Sequence, residues 1–372
     1  MPVLVKMMNE EPHMKVQTQA VAAMTAFIKG LEDAEDEEQA QKNKEVLLPY
    51  ADELVNTIGT LLGKSVSENY RPLQEEVLAA LSCLASLLDT NFEAHYGKFM
   101  PGLVQILQTA KAETEQEQQL RASCYECIGH ILTSVRTKPE VCKNDAIAIT
   151  GMIVEQMKAN NMQPSDPQIN AMTTTLSQIC ICLGEDFKAF LPTVVPFFLN
   201  DMAKDVKFSF GDAKEAEEVA DDQQDLGKLS LNLKIRGLEG AKTVTMDTFA
   251  LESKVHALNI VKTIARNMET NFFEYVEPVA QLCLEKLMND RLNTAVRVQS
   301  AKCMRFMIGA CENQPEKMKQ LFLMSYAKLL QELEYFVPKQ KVADVNVVLK
   351  ELFKHMRICE DLGKKGVTLF TT

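Results

Sequence analysis

The sequence predicts an all-α fold built as a solenoid of stacked helical hairpins, on three observations. Its palette is helical: 46% of residues are hydrophobic, Gly numbers only 15, Trp is absent and 19 Met are present. Good helix formers dominate, and Met fills irregular gaps between helices. At 372 residues the chain is long for one compact core, whereas a solenoid packs each unit only on its neighbours and has no such limit. Finally, the stretch from Phe92 to Val135 reads as a complete hairpin that cannot cover its own apolar side.

That hairpin is the template for the rest. Its first helix places Leu103, Ile106, Leu107 and Ala110 at helical spacing, with Pro101 read as lying in the first turn. After a polar break, Leu120, Cys124, Cys127, Ile128, Ile131, Leu132 and Val135 draw one apolar stripe down a second helix.

In chain order, residues 1–9 read as part of one helix and Lys15–Leu31 as another, with Val16, Ala20, Ala23, Met24 and Phe27 on its buried face. The acidic run Glu32–Glu38 reads as a solvated loop, or as an acidic docking patch. Val46–Gly63 pairs with Leu73–Leu88, and the template hairpin follows. Ala146–Lys158 pairs with Asp166–Gly184, whose inner stripe holds Ile169, Met172, Leu176, Ile179 and Leu183. A fourth hairpin begins with Phe187–Ala203 and resumes at Asp247–Asn267. Phe272–Asn289 pairs with Thr294–Cys311, and Glu316–Leu333 with Val342–Leu362.

A recurring phase supports these boundaries. Pro49, Pro101, Pro192 and Pro278 fall near the start of first helices, and residues two, five and six positions beyond each are apolar or small. Two helices in a period of about forty to fifty residues indicate HEAT repeats. Asp290 near a turn and Val296-Arg297 opening a second helix fit that pattern. The expected architecture is a right-handed α-solenoid of about six to seven HEAT-type hairpins, one array over residues 1–372. Residues 206–247 interrupt it as an acidic insertion within the fourth hairpin. There Leu229, Leu231, Leu233 and Ile235, then Val244 and Met246, alternate with polar residues around a glycine-containing turn, which predicts a β-hairpin. A loop of this length binds or regulates something, or else covers the inner wall of the solenoid.

The net charge is −11 and the pI about 5.2. This argues against general affinity for nucleic acid or anionic membrane and permits partners with basic segments. No signal peptide, lipidation motif or apolar run of spanning length is expected. Of ten cysteines, Cys83, Cys124, Cys127, Cys180, Cys283 and Cys303 fall on apolar faces, as reduced core thiols do in a cytosolic or nuclear protein.

Chemistry-bearing motifs are sparse. Cys124, Cys127 and His130 could ligate zinc, but a structural site needs four ligands and no second pair lies at matching spacing, so core packing is the reading preferred. Cys180 and Cys182 cannot share one helix face. No nucleophile elbow, Walker loop, HExxH or dinucleotide fingerprint is seen. The expectation is no enzyme, no metal and no cofactor. Glu75 and Glu76 sit early in a second helix, where they complement its dipole or meet a basic ligand.

The order of short signatures resembles the importin-β superfamily, of the importin β-3 type. The pieces are Leu48-Pro49-Tyr50 with Leu54-Val55, Phe99-Met100-Pro101 with Leu103, and Leu120-Arg121 leading to Glu126-Cys127-Ile128. Then come Asp166-Pro167-Gln168-Ile169 and Leu183-Gly184 with Phe187, Leu191-Pro192 and Val194. After the insertion follow Thr248, Leu251-Glu252, Lys254 and Ala257. The resemblance implies a nuclear transport receptor shuttling between cytoplasm and nucleus. Such a receptor wraps basic import-signal cargo, releases it on binding Ran-GTP and touches phenylalanine-glycine nucleoporins. It also implies a middle-to-C-terminal portion of such a receptor, with the main Ran contact in repeats outside this chain. The repeats alone equally permit a HEAT scaffold of another class, phosphatase-type or chromatin-associated. The charge argument, not the resemblance, nominates partner-binding residues: Glu75, Glu76, Glu113, Glu115 and Glu117, with Glu217, Glu218, Asp221, Asp222 and Asp225 on the insertion.

Overall fold

The computed structural model describes residues 2–32, 37–159, 162, 165–205, 208–212, 228–233, 242–290, 293–339 and 341–364. The chain divides into two compact units, Met1–Gly184 and Glu185–Thr372.

The first unit holds α1 (Pro2–Glu10), α2 (Met14–Glu32), α3 (Glu37–Leu47), α4 (Ala51–Ser67), α5 (Arg71–Leu88), α6 (Tyr96–Thr109), α7 (Glu115–Ser134), α8 (Pro139–Ala159) and α9 (Pro167–Leu183). The pairs α1/α2, α4/α5, α6/α7 and α8/α9 are antiparallel-type hairpins, and α2, α5, α7 and α9 pack side by side as one layer. The second unit repeats the plan with α10 (Leu191–Ala203) and α11 (Thr248–Met268), α12 (Phe273–Glu285) and α13 (Thr294–Ala310), and α14 (Pro315–Phe336) and α15 (Val342–Lys364). There α11, α13 and α15 form the second-helix layer, while α10, α12 and α14 pack in their own row.

The core follows the apolar stripes. Leu120, Cys124, Cys127, Ile128, Ile131, Leu132 and Val135 are all buried, as are Met172, Leu176, Ile179 and Leu183. The six cysteines read as core residues are buried free thiols. At about 25 cal/mol per Å² of apolar surface, each such Leu or Ile contributes roughly 1.5–3 kcal/mol.

The structure departs from the sequence reading at four places. On α2 the buried face is Gln17, Ala20, Val21, Met24, Thr25 and Ile28, whereas Ala23 faces solvent and Phe27 is 42% exposed. Polar residues occupy that face because their hydrogen bonds are met locally: Thr25 Oγ1 donates to the Val21 carbonyl at 3.0 Å and Gln17 Nε2 to the Met8 carbonyl at 2.8 Å. The acidic run read as a loop is helical at both ends: Glu32 closes α2, and Glu37 and Glu38 open helix α3. Pro101 lies inside α6 rather than in its first turn, because the helix begins at Tyr96 directly after the 3-10 turn Asp89–His95. Lastly, the stretch Arg71–Thr109 is apolar and long enough to pass as a membrane span. It is α5 and α6 of the stack, and its apolar character is explained by burial of Leu73, Val77, Leu78, Leu81, Leu84 and Leu88.

One corner recurs at three places where a second helix hands over to the next hairpin, after α5, α9 and α11. Asp89, Gly184 and Glu269 have φ of 50°, 51° and 47°. Each is followed three residues on by a fully buried phenylalanine, Phe92, Phe187 or Phe272. Each phenylalanine packs on an aromatic ring three residues further on, His95 at 5.5 Å, Phe190 at 5.8 Å and Tyr275 at 5.6 Å between centroids. Only glycine adopts this φ freely. Asp89 is held there by the Arg136 guanidinium, which donates to both carboxylate oxygens, Nη2 to Oδ2 at 2.9 Å. That bond holds the Asp89 carboxyl below its ordinary range.

Between α10 and α11 lie three strands, β1 (Phe208–Asp212), β2 (Lys228–Leu233) and β3 (Lys242–Asp247), in an antiparallel sheet ordered β1-β3-β2. Phe208 pairs with Met246 and Asp212 with Lys242 in one ladder, and Leu229 with Met246 and Leu233 with Lys242 in the other. The residues between β2 and β3, including the glycine-containing turn, lie outside the described residues.

Candidate partner-binding surface

The second-helix layer is held in register by buried polar side chains. Arg121 on α7 donates through Nη1 to the Ala110 carbonyl at 2.9 Å and to the Leu107 carbonyl, at the end of the partner helix α6. Its Nε donates to Gln168 Oε1 on α9 at 2.7 Å, a residue 47 positions later. In the second unit Arg297 donates to the Asp290 carbonyl at 2.7 Å and to Asp344, again 47 positions on, at 3.4 Å. A cation at a helix C-terminus meets the negative end of its dipole, and its second hydrogen bond fixes the height of the next hairpin. Sequence reading singled out both arginines only as repeat signatures. The shared interval to a polar residue was the signal of their bridging role.

Against this frame the nominated acidic residues divide. Glu75 and Glu76 lie half-buried in the second turn of α5. Burial pushes the Glu75 carboxyl up, Arg71 pulls it down, and Glu76 adds a smaller upward push. Glu113 and Glu115 are exposed beside the start of α7. Glu117 is engaged in capping that helix: its Oε2 accepts from the backbone N–H of Glu113 at 3.0 Å and of Thr114 at 3.3 Å. Thr114 Oγ1 in return accepts from the Glu117 N–H at 3.2 Å, which makes a reciprocal capping box. Glu217, Glu218, Asp221, Asp222 and Asp225 lie outside the described residues.

A carboxylate the charge argument overlooked, Glu126, projects from the middle of α7. Burial raises it, while Lys29 of α2 lowers it. The same Lys29, with Glu32 and Glu126, acts on Cys83 of α5, whose thiol burial pushes up to about 11. Lys29 and Glu32 of α2 and Glu126 of α7 thus lie around Cys83 of α5 within the first unit. His130, one turn beyond Glu126, is half-buried and held neutral by burial. Cys124 is pushed up to about 12 and Cys127 well above its ordinary value by burial. No cluster of three or more His, Cys, Asp or Glu suited to a metal occurs among the described residues. Cys124 and Cys127 pack in the core with their thiols protonated, and His130 lies at its edge.

These features define a class first: a HEAT-type stack whose second helices are bridged by buried arginines. No family model matches the chain. In sequence it is 25% identical over 337 residues to importin subunit beta-3 of Saccharomyces cerevisiae, covering 89% of this chain and 28% of that protein. It is 24% identical over 259 residues to the probable importin-5 homolog of Dictyostelium discoideum, covering 70% and 21%. Among solved structures it is similar to Kap121p bound to Pho4p, with TM-score 0.73 and 22% identity over 95% of this chain and 31% of that one. The match to Kap121p bound to Nup53p also has TM-score 0.73, covering 96% and 30%. The chain is thus similar to importin-β karyopherins of the importin β-3 type, and it spans less than a third of the curated relatives it matches.

Proposed function

We propose that this chain is part of a nuclear transport receptor, a HEAT array binding basic import-signal cargo and working with Ran-GTP and phenylalanine-glycine nucleoporins. The observation that carries the reading is the alignment with importin subunit beta-3 along 89% of the chain. Solved complexes of the similar Kap121p with Pho4p, Nup53p and the Cdc14p C-terminus support cargo and nucleoporin partners. The receptor shuttles between cytoplasm and nucleus, residues 1–372 form one array, and 206–247 are its insertion. The main Ran contact lies in repeats outside this chain. The assigned role is non-covalent binding, with no catalytic step, cofactor, nucleic-acid contact or membrane contact.

Acidic groups on the second-helix layer attract an extended basic peptide and make its on-rate salt-sensitive. Glu76, Glu115 and Glu126 are the members free to do so, with Glu75 and Glu113 beside them and the five insertion acids as further contributors. Glu117 contributes charge while its oxygens cap α7.

The test is fluorescence anisotropy of a labelled lysine-rich import-signal peptide at low and moderate salt, with and without Ran-GTP. Saturable binding, weakened by salt and reduced several-fold by Glu76→Lys with Glu126→Lys, is expected. Binding that is absent, or indifferent to both salt and the charge reversals, overturns this surface as a cargo site.

A further inference from the structure

The carboxylates assigned to basic cargo on α5 and α7 all belong to the first unit. In the second unit the same layer carries the opposite charge. Along α11, Asn259, Lys262 and Arg266 fall three and four residues apart and so share one helix face. Gln299, Lys302 and Arg305 do the same along α13. None of these six is buried. The two rows meet at Lys262, whose Nζ donates to Asn259 Oδ1 at 2.7 Å and, across to α13, to Gln299 Oε1 at 3.3 Å.

Helix α15 joins through Glu351, which is 2% exposed. Its Oε2 lies 3.5 Å from Arg305 Nε, and its Oε1 3.2 Å from Nζ of the exposed Lys354. One carboxylate is therefore shared between two cations. Lys262 is met only by neutral amide oxygens, and Lys302 and Arg266 take part in no hydrogen bond or ion pair among the described residues. The excess is felt within the cluster. Burial, and after it the like charge of Lys302, lower the Lys262 ammonium from its ordinary value; Arg305 adds to this and Glu351 opposes it.

We propose that this basic face of the second unit, centred on Lys262 and Lys302, binds an acidic peptide segment of a partner protein, a docking site opposite in sign to the cargo surface.

The side chains present favour a peptide rich in carboxylates. Lysines offer mobile point charges to carboxylates, and the Arg305 guanidinium adds a planar fork. That guanidinium lies 5.4 Å from the Phe306 ring centroid, and Phe306 is itself part-exposed. An aromatic face holds the cation in place and gives an apolar contact beside it. Asn259 and Gln299 use their oxygens on Lys262, and their amide N–H groups donate to nothing among the described residues. Those donors suit the carbonyls of an extended strand laid along the layer. A nucleic acid fits less well. Its charge runs far beyond a patch of this size, where it meets a chain of net charge −11.

The interaction is expected to be weak and salt-sensitive, since partly exposed charges are screened beyond about 8 Å at physiological ionic strength. It does not depend on the cargo reading, because the two sites use different residues in different units.

The experiment is fluorescence anisotropy of the full chain with a labelled peptide of alternating glutamate and serine, at low and moderate salt. Saturable binding that salt weakens is expected. Lys262→Glu with Lys302→Glu should weaken it about tenfold or more, as two favourable charge pairs become repulsive. The same variant should bind the lysine-rich peptide no more weakly than the parent chain, which separates loss of this site from loss of the fold. If that variant fails to fold, Arg266→Ala with Lys302→Ala replaces it, and a several-fold loss is expected. Three results each overturn the proposal: no saturable binding of the acidic peptide, binding unmoved by the substitutions, or tighter binding of a single-stranded oligonucleotide of equal charge.

Discussion

At the scale of single residues, the corner positions hold the clearest unspent stability. Glu269 adopts φ of 47° without the aid of glycine and is exposed, so its side chain gains little in return. Glu269→Gly should stabilise the chain by about 0.5–1 kcal/mol, the strain of a left-handed residue less the added freedom of the unfolded chain. At the equivalent Gly184, which has open space around it, Gly184→Ala should cost about 1 kcal/mol. Urea midpoints of the two variants check both signs. Sequence alone exposed the core cysteines, because Cys124 and Cys127 fall on a stripe of Leu and Ile. It hid the corners, because an aspartate and a glutamate stand where glycine would have announced the turn, and their restraints come from residues such as Arg136 far along the chain.

Among helices, the apolar stripes of α5, α7 and α9 were legible because each runs over several turns with Leu, Ile, Met or Cys at helical spacing. Helix α3 was not, since Glu37–Leu47 is rich in Glu, Gln and Lys and begins within the acidic run, so it carries no apolar period to find. The buried face of α2 was misjudged for the complementary reason: Gln17, Thr18 and Thr25 are buried with their hydrogen bonds satisfied. The candidate surface was half legible. Charge counting nominated Glu75, Glu76 and Glu117 alike, since it does not separate an open carboxylate from a cap, and Glu117 is a cap. Thr114→Ala should therefore destabilise the chain by about 1 kcal/mol, and Glu117→Gln by less, since the amide oxygen still accepts. If Glu117 were a cargo residue alone, its change would alter peptide binding and leave the thermal midpoint unmoved.

For the whole molecule, buried imidazoles set the acid limb of stability. His130 lies in the first unit and His256 and His355 in the second, and burial lowers all three. His355 is fully buried: Nδ1 meets the Glu351 carbonyl at 2.8 Å and Nε2 the Ser325 hydroxyl at 3.0 Å. A carbonyl only accepts, so Nδ1 carries the proton of a neutral ring. With folded values below the unfolded value of about 6.5, the unfolded chain binds protons first as pH falls. Stability is thus full above about pH 6.5 and declines as pH drops through the window between the unfolded and folded values. Glu75 and Glu126, raised by burial, act in the opposite sense in a more acid window. Urea midpoints at pH 7.5 and 5.8 should fall on acidification, and His355→Gln should flatten the difference. An unchanged slope in that variant would exclude His355 as a source.

The ladder between β1 and β3 has an evolutionary consequence. Its pairing brings Phe208 opposite Met246, so the chain leaves α10 and returns to α11 at neighbouring points. The hairpin therefore encounters the whole intervening segment as though it were a short connection, whatever its length. Sequence there can lengthen, shorten or change its chemistry with no adjustment asked of the helices on either side. Such a port lets one ancestral stack acquire lineage-specific additions by simple insertion, and residues 213–227 and 234–241 are where divergence between relatives should be greatest.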